Sequence, residues 1–138
     1  MKSTLGAPLP RRSRRGDAGY DFFMPADLGL RQGWRVTVDT GIIMEEGDIP
    51  EGYVMLLFPR SGSGSKFGLA LANTVGVIDS GYRDSIKAKL WLNDPDTSGM
   101  DIPQGARFMQ GVLVPYGIIP TEIPPEEERS GGFGSTGA

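Results

Sequence analysis

Residues Pro59 to Arg83, PRSGSGSKFGLALANTVGVIDSGYR, hold an Arg-Ser-Gly loop, a Lys, an Asn, an Asp and a Tyr. Side chains of these types can hold a phosphorylated nucleoside and activate a water beside it. The chain contains no His and no Cys. Imidazole and thiol chemistry are therefore excluded, and Asp79 becomes the candidate general base. A second Gly-rich segment, RSGGFGSTG from Arg129 to Gly137, adds an Arg, a Phe, a Ser and a Thr. Two loops suited to polyanions and one placed carboxylate point to an enzyme acting on a nucleotide.

Each part also has a plainer reading. In Arg60-Ser61-Gly62 a tight turn would expose backbone N–H groups, the Ser hydroxyl would donate, and the guanidinium would fork onto phosphate oxygens. An ordinary Gly/Ser-rich turn fits that short segment better when it is taken alone. Asn73 to Asp79 (NTVGVID) is an apolar run ending in a carboxylate, which must be paired or functional there. Gly76 would let the backbone turn or let a flat ligand approach, so that main-chain groups of a hairpin read a base; a hairpin with a capping Asp is the alternative. Tyr82 offers a ring to a sugar or to the core, and Arg83 a phosphate ligand or, preferably, an internal ion pair. Asp17 and Asp21, in GDAGYDFF, could hold magnesium through waters or simply occupy a surface turn. Gln110 shares a strand with Arg107 and apolar neighbours, and its spacing alone reads as structural. The basic cluster Arg11, Arg12, Arg14 and Arg15 is either solvated, the favoured reading, or faces phosphate.

The elements that must position these groups are strands. Trp34, Val36 and Val38 alternate with Arg35, Thr37 and Asp39, and Ile86, Ala88, Leu90 and Leu92 alternate with Lys87, Lys89, Trp91 and Asn93, both predicting half-buried strands. Tyr53 to Phe58 is continuously apolar, which predicts a strand covered on both faces. Phe108 to Tyr116 and Ile118 to Ile123 predict two more, at edges or bends because of their prolines. Turns are expected at Gly29, Glu46-Gly47, Pro50-Glu51-Gly52, Asn93-Asp94-Pro95 and Pro103-Gln104-Gly105. One helical turn fits around Ser61 to Lys66. With 21 Gly and 11 Pro in 138 residues, long helices are not expected. The result is a single all-β domain, a sandwich or barrel. A formal net charge of −3 argues against nucleic-acid binding through a general positive field. No membrane span or leader is read, and a cytoplasmic location is the expectation. Glu126 to Ala138 has little to bury and is expected to be mobile.

Taken together and in order, the segments AGYDFF (Ala18 to Phe23), PRSG with Lys66 and Gly68, NTVGVIDSGYR (Asn73 to Arg83), ARFMQGVLVP (Ala106 to Pro115) and RSGGFGSTG resemble the five motifs of the trimeric dUTPases. The resemblance implies a distorted β jelly roll or barrel of the dUTPase-like β-clip type over residues 1–125, with residues 126–138 as a mobile C-terminal arm closing over the site. It implies a homotrimer with sites at subunit interfaces, binding neither nucleic acid nor membrane. Each site would hydrolyse dUTP to dUMP and pyrophosphate with Mg2+, keeping uracil out of DNA and supplying dUMP for dTMP synthesis. By motif, Asp79 resembles the residue that orients and deprotonates the attacking water, and Tyr82 the ring packed on deoxyribose. Asn73 and the backbone of Val77, Ile78 and Asp79 resemble the uracil-reading hairpin. Arg60, Ser61, Gly62 and Gln110 match phosphate contacts, Lys87 a substrate-contacting position, and Asp21 the magnesium residue acting through water. Arg129, Phe133, Gly134, Ser135 and Thr136 resemble the arm that caps uracil and grips the γ-phosphate.

Three departures stand out. Asp84 and Ser85 replace the family's common Gly-Glu, only Ser130 separates Arg129 from the Gly-Gly pair, and Phe108-Met109 precede Gln110 in place of Ile-Ala. Competing readings on the same fold are a dCTP deaminase, whose motifs favour Phe where Tyr82 stands, and a catalytically silent binding protein. A capsid-type structural jelly roll would have no use for the phosphate loops.

Overall fold

The structure, a computed structural model, describes residues 1–126 except 63 and 65–67. The described residues form strands β1 (Lys2–Ser3), β2 (Tyr20–Phe23), β3 (Leu28–Arg31), β4 (Arg35–Asp39), β5 (Ile42–Ile43), β6 (Tyr53–Pro59), β7 (Leu69–Leu71), β8 (Gly76–Asp79), β9 (Lys87–Leu92), β10 (Gly99–Ile102) and β11 (Arg107–Pro115). The architecture is all-β, a distorted jelly roll. A four-stranded sheet, β2-β11-β6-β8, and a three-stranded sheet, β4-β9-β7, are joined by two-stranded pairs β1-β5 and β10-β3, and every pairing is antiparallel. The core gathers Phe22, Leu57, Ile86, Leu90, Leu92, Phe108 and Met109, all essentially fully buried. Among the described residues no helix is long and apolar enough to cross a membrane.

The alternating segments behave as their period demands. On β9, Ala88, Leu90 and Leu92 are buried while Lys87, Lys89 and Trp91 point outward. β4 pairs with it in register, Val38 opposite Ala88 and Arg35 opposite Trp91. Trp34 departs from its predicted place. Trp34 N–H donates to the Arg31 carbonyl (3.0 Å), closing a turn through Gly33 at φ 79°, so the indole lies before the strand and is exposed. Gly29, expected in a turn, sits inside β3. Of the expected helical turn, Ser61, Gly62 and Gly64 are helical, and Gly64 N–H donates to the Arg60 carbonyl at 2.9 Å; Ser63, Ser65 and Lys66 lie outside the described residues.

Two strand expectations are corrected. β6 is covered on one face only, by Met55 and Leu57; Val54, Leu56 and Phe58 on the other are half-buried. Val112 and Val114 of β11 and Val77 of β8 lie opposite them, so this sheet presents an apolar outer face. Ile118 to Ile123 forms no strand. Pro120 removes a ladder donor, the segment has no neighbouring strand, and Ile118, Ile119 and Ile123 are exposed.

The expected hairpin over Asn73 to Asp79 is a corner instead. β7 pairs with β9 and β8 with β6, so the segment between them crosses from one sheet to the other. Thr74 takes φ 69°, its N–H donating to the Leu71 carbonyl at 2.9 Å. Gly76 is there for packing: a Cβ would stand 2.9 Å from both Cβ and Cδ1 of Leu57. Gly76→Ala should therefore destabilise the fold by about 1–3 kcal/mol, the usual cost of overpacking, read as a lowered midpoint in urea. A midpoint equal to wild type would show that Leu57 yields freely.

Candidate active site

Where β6 ends at Pro59, Arg60 and Ser61 turn into a cleft of about 400 Å³ that is also lined by Ser13, Asp17, Gly19, Asp21, Arg107 and Gln110. Strand register explains the gathering. Gln110 on β11 lies opposite Asp21 on β2 and opposite Phe58 on β6, which puts both edges of the cleft beside the amide. Gly19 leaves room for it, since a Cβ there would collide with Gln110 Oε1. Gln110 thus lines the cleft beside Arg60 and Asp21, while Gly62 follows on the exposed helical turn.

Asp21 is the electrostatic centre of this cleft and is 8% exposed. Arg60 Nε stands 3.5 Å from its Oδ1, and Arg107 Nη1 3.5 Å from its Oδ2. Ser13 Oγ donates to Oδ2 at 3.0 Å and accepts from Arg107 Nη1 at 2.8 Å. One carboxylate therefore aims two guanidinium groups into the same space. Sequence reasoning assigns Arg107 no ligand role and passes over Ser13; the β2–β11 register brings in the first and the Arg11–Asp21 bridge the second. Asp17 takes its surface-turn reading, with Oδ2 accepting from Arg14 N–H at 3.0 Å. In the basic cluster, Arg12 donates to the Arg15 carbonyl at 2.6 Å and Arg11 lies 5.3 Å over the Phe23 ring. Those two contacts are local.

The second group of residues lies at the far edge of the same sheet. Asp79 ends β8 opposite Val54, half-buried, and Ile78 points into the core while Val77 points out, 58% exposed. β8 is an edge strand, so alternate main-chain groups of Gly76–Asp79 face away from the sheet. Asn73 is exposed on the corner before it. Tyr82 is 5% exposed; its N–H donates to the Asp79 carbonyl (3.1 Å) and its hydroxyl to the Ser85 carbonyl (3.0 Å). Arg83 braces this turn, donating to the carbonyls of Ser80 (2.8 Å) and Tyr82 (3.0 Å).

The two groups do not meet within one chain. Arg60 follows the last residue of β6, whereas Asp79 lies opposite Val54 near its start. Six residues of extended strand separate them by about 20 Å. Lys87 begins β9 on the other sheet, opposite Asp39. Arg129, Phe133, Gly134, Ser135 and Thr136 of the expected arm, and Lys66, lie outside the described residues.

Asp39 ties the Tyr82 loop to the second sheet. Its Oδ1 accepts a short hydrogen bond from Ser85 Oγ and another from Gly41 N–H at 2.9 Å. The Ser85 hydroxyl, then the Gly41 amide and Lys87, hold this carboxyl below its ordinary value of 3.8 against the opposing pull of desolvation.

The dUTPase family model matches residues 6–137. The deoxyuridine 5'-triphosphate nucleotidohydrolase of Thermobifida fusca is 38% identical over 134 residues, which cover 94% of this chain and 73% of that protein. The dUTPase of Staphylococcus bacteriophage 80alpha, solved with dUpNHpp, superposes with a TM-score of 0.73 at 29% identity, covering 96% of this chain and 93% of that one. A mutant dUTPase from phage phi11 of S. aureus, described with a structural Mg(II) ion, matches with a TM-score of 0.70 at 26% identity, over 93% of this chain and 92% of that one.

A carboxyl held low contributes stability that is fully present above its unfolded value and is lost as pH falls through the folded one. Asp39 should thus titrate below 3.8. Ser85→Ala should move its midpoint up toward that value, followed by carboxyl NMR. An unmoved midpoint would remove Ser85 as the main cause.

Proposed function

The chain belongs to the dUTPase family, and from that premise we propose that it hydrolyses dUTP to dUMP and pyrophosphate at a site shared between subunits. The observation that carries the reading is the Arg60–Asp21–Arg107 cleft with Ser61 and Gln110 at its wall. Its two guanidinium groups, the Ser61 hydroxyl and the Gln110 amide are donors of the kind triphosphate oxygens need, with Asp17 and Asp21 balancing the two Arg charges. In the cell this reaction keeps uracil out of DNA and supplies dUMP for dTMP synthesis.

In the proposed mechanism Asp79 orients a water and takes its proton as the oxygen attacks the α-phosphorus. The bond from that phosphorus to the β-bridging oxygen breaks, and pyrophosphate leaves. Arg60, the Ser61 hydroxyl, the backbone at Gly62 and Gln110 offset charge on the phosphate oxygens. Main-chain groups of Val77, Ile78 and Asp79, with Asn73, read the uracil edge; the outward-facing side of β8 supports that role. Tyr82 packs on deoxyribose, and Lys87, at the start of β9 five residues on, contacts the same substrate. Residues 126–138 serve as the arm, with Phe133 over the base and Arg129, Gly134, Ser135 and Thr136 on the γ-phosphate.

Asp21 fits magnesium only through water. Both of its oxygens already face guanidinium groups, which repel a directly bound cation. No group of three His, Cys, Asp or Glu suited to a metal occurs among the described residues. Magnesium reluctantly loses water and is ordinarily carried by phosphates with one or two carboxylates nearby. Bound with the substrate, it would supply further charge compensation for the triphosphate.

Pyrophosphate release should be steep for dUTP over dCTP and should require magnesium. A main-chain site that pairs with uracil leaves polar groups unpaired against cytosine, and such sites discriminate by roughly 10⁴–10⁵. Comparable kcat/KM for the two nucleotides would sink this reading in favour of a different nucleotide substrate.

The separation of the two residue groups supports assembly as a homotrimer, as does the apolar outer face of the four-stranded sheet. Asp79→Asn should lower kcat by about 10²–10⁴ with binding nearly intact, since an amide holds a water but cannot take its proton. Arg60→Ala should be comparably poor through lost phosphate contacts. Refolding an equal mixture of the two inactive variants should restore roughly a quarter of wild-type activity, because some interfaces then receive an intact residue from each side. No recovery in verified mixed trimers would place both residues in one subunit's site.

A further inference from the structure

The loop that carries Tyr82 has no strand neighbour of its own between Asp79 and Lys87. It is fastened at its far end to the corner after β4. Ser85 Oγ donates to Asp39 Oδ1. The next residue is held twice, the Ile86 carbonyl accepting from Thr40 N–H (3.0 Å) and from Thr40 Oγ1 (2.6 Å). Ile86 N–H in turn donates to the Ile42 carbonyl at 2.8 Å. The Thr40 hydroxyl is fully buried and also accepts from Ile42 N–H at 3.1 Å, so this corner is rigid.

The Tyr82 hydroxyl bonds to the carbonyl of Ser85, the same residue whose side chain Asp39 grips. The ring packs in the core, and its hydroxyl end is tied through two successive hydrogen bonds to a strand on the other sheet. We propose that Asp39 is a positioning residue for sugar selection, fixing the Tyr82 ring through Ser85. This rests on Tyr82 being the deoxyribose-facing ring. Thr40 and Ile42 hold the main chain of Ile86, and Asp39 is the partner of the Ser85 side chain beside it.

A ring held at a fixed height excludes a 2′-hydroxyl by contact, and a ring free to tilt admits it. Asp39→Ala and Ser85→Ala should each reduce the ratio of kcat/KM for dUTP over UTP by about three- to tenfold, the range of one lost hydrogen bond. The loss should fall on KM, with kcat for dUTP close to wild type, since neither residue touches phosphate or water. Tyr82→Phe, which keeps the ring and removes the bond to Ser85, should show the same loss, and Ser85→Thr should retain the wild-type ratio. The double variant Asp39→Ala/Ser85→Ala should be no worse than either single one, because the two changes break one bond.

The two failures separate cleanly. Tyr82→Ala with undiminished discrimination would overturn the sugar-ring reading and this inference with it. Tyr82→Ala that discriminates poorly beside Asp39→Ala and Ser85→Ala variants that discriminate as wild type would overturn the Asp39 role alone. Additive losses in the double variant would do the same. Should Asp39→Ala fold poorly, Ser85→Ala, which deletes a single hydroxyl, carries the test.

Discussion

Strand β6 spaces the chemistry of this molecule. It is hydrogen-bonded on both sides, to β11 from Tyr53 to Pro59 and to β8 from Val54 to Leu57. Every group of interest takes its position from that register. Arg60 and Ser61 emerge at one end of the strand, Gln110 is set by lying opposite Phe58, and Asp79 is set by lying opposite Val54. A slip of one residue would turn each inward side chain outward, which would empty the core and scatter the cleft together. The register also keeps the two functional groups about 20 Å apart. A strand cannot be shortened without losing the pairing, so on the proposed reading a second subunit is the direct way to bring Asp79 and the Arg60 cleft together.

The same strand shows where sequence is legible and where it is not. The β9 alternation is readable because a period of two assigns each residue a face, and Ala88, Leu90 and Leu92 obey it. Trp34 continues the alternation on paper but belongs to the turn at Gly33, whose positive φ makes β4 begin at Arg35, one residue later than the pattern. The apolar run of β6 records that both faces avoid water. It does not record what covers the second face, which the described residues leave half-buried. Ile118 to Ile123 fails for the related reason that apolar composition cannot supply a strand partner.

For the site, the motif order carries far more than any single spacing. Arg60, Ser61, Asp21 and Gln110 come together as their motifs imply, although they lie on three segments. Gln110 alone reads as structural because its two neighbours, Asp21 and Phe58, are distant in sequence. Arg107 and Ser13 are illegible for the same reason, since their value comes from the Asp21 carboxylate they share. The Asp39–Ser85 bond spans 46 residues and leaves no local pattern at all.

Asp21 also explains how two guanidinium groups can share one cleft in an acidic protein. Two guanidinium groups converging without a counter-charge would repel one another, and Asp21 offsets that repulsion while it orients them. At 3.5 Å the pairs are close but not at ideal hydrogen-bonding distance. Donor capacity is thus left for incoming oxygens, because a guanidinium carries five N–H groups and spends few of them here. A triphosphate entering the cleft need not break the Asp21 contacts to gain its own. On the proposed reading the preorganised cations then cost little reorganisation when charge builds on the leaving pyrophosphate, which gives a physical reason for a carboxylate in a site that takes anions.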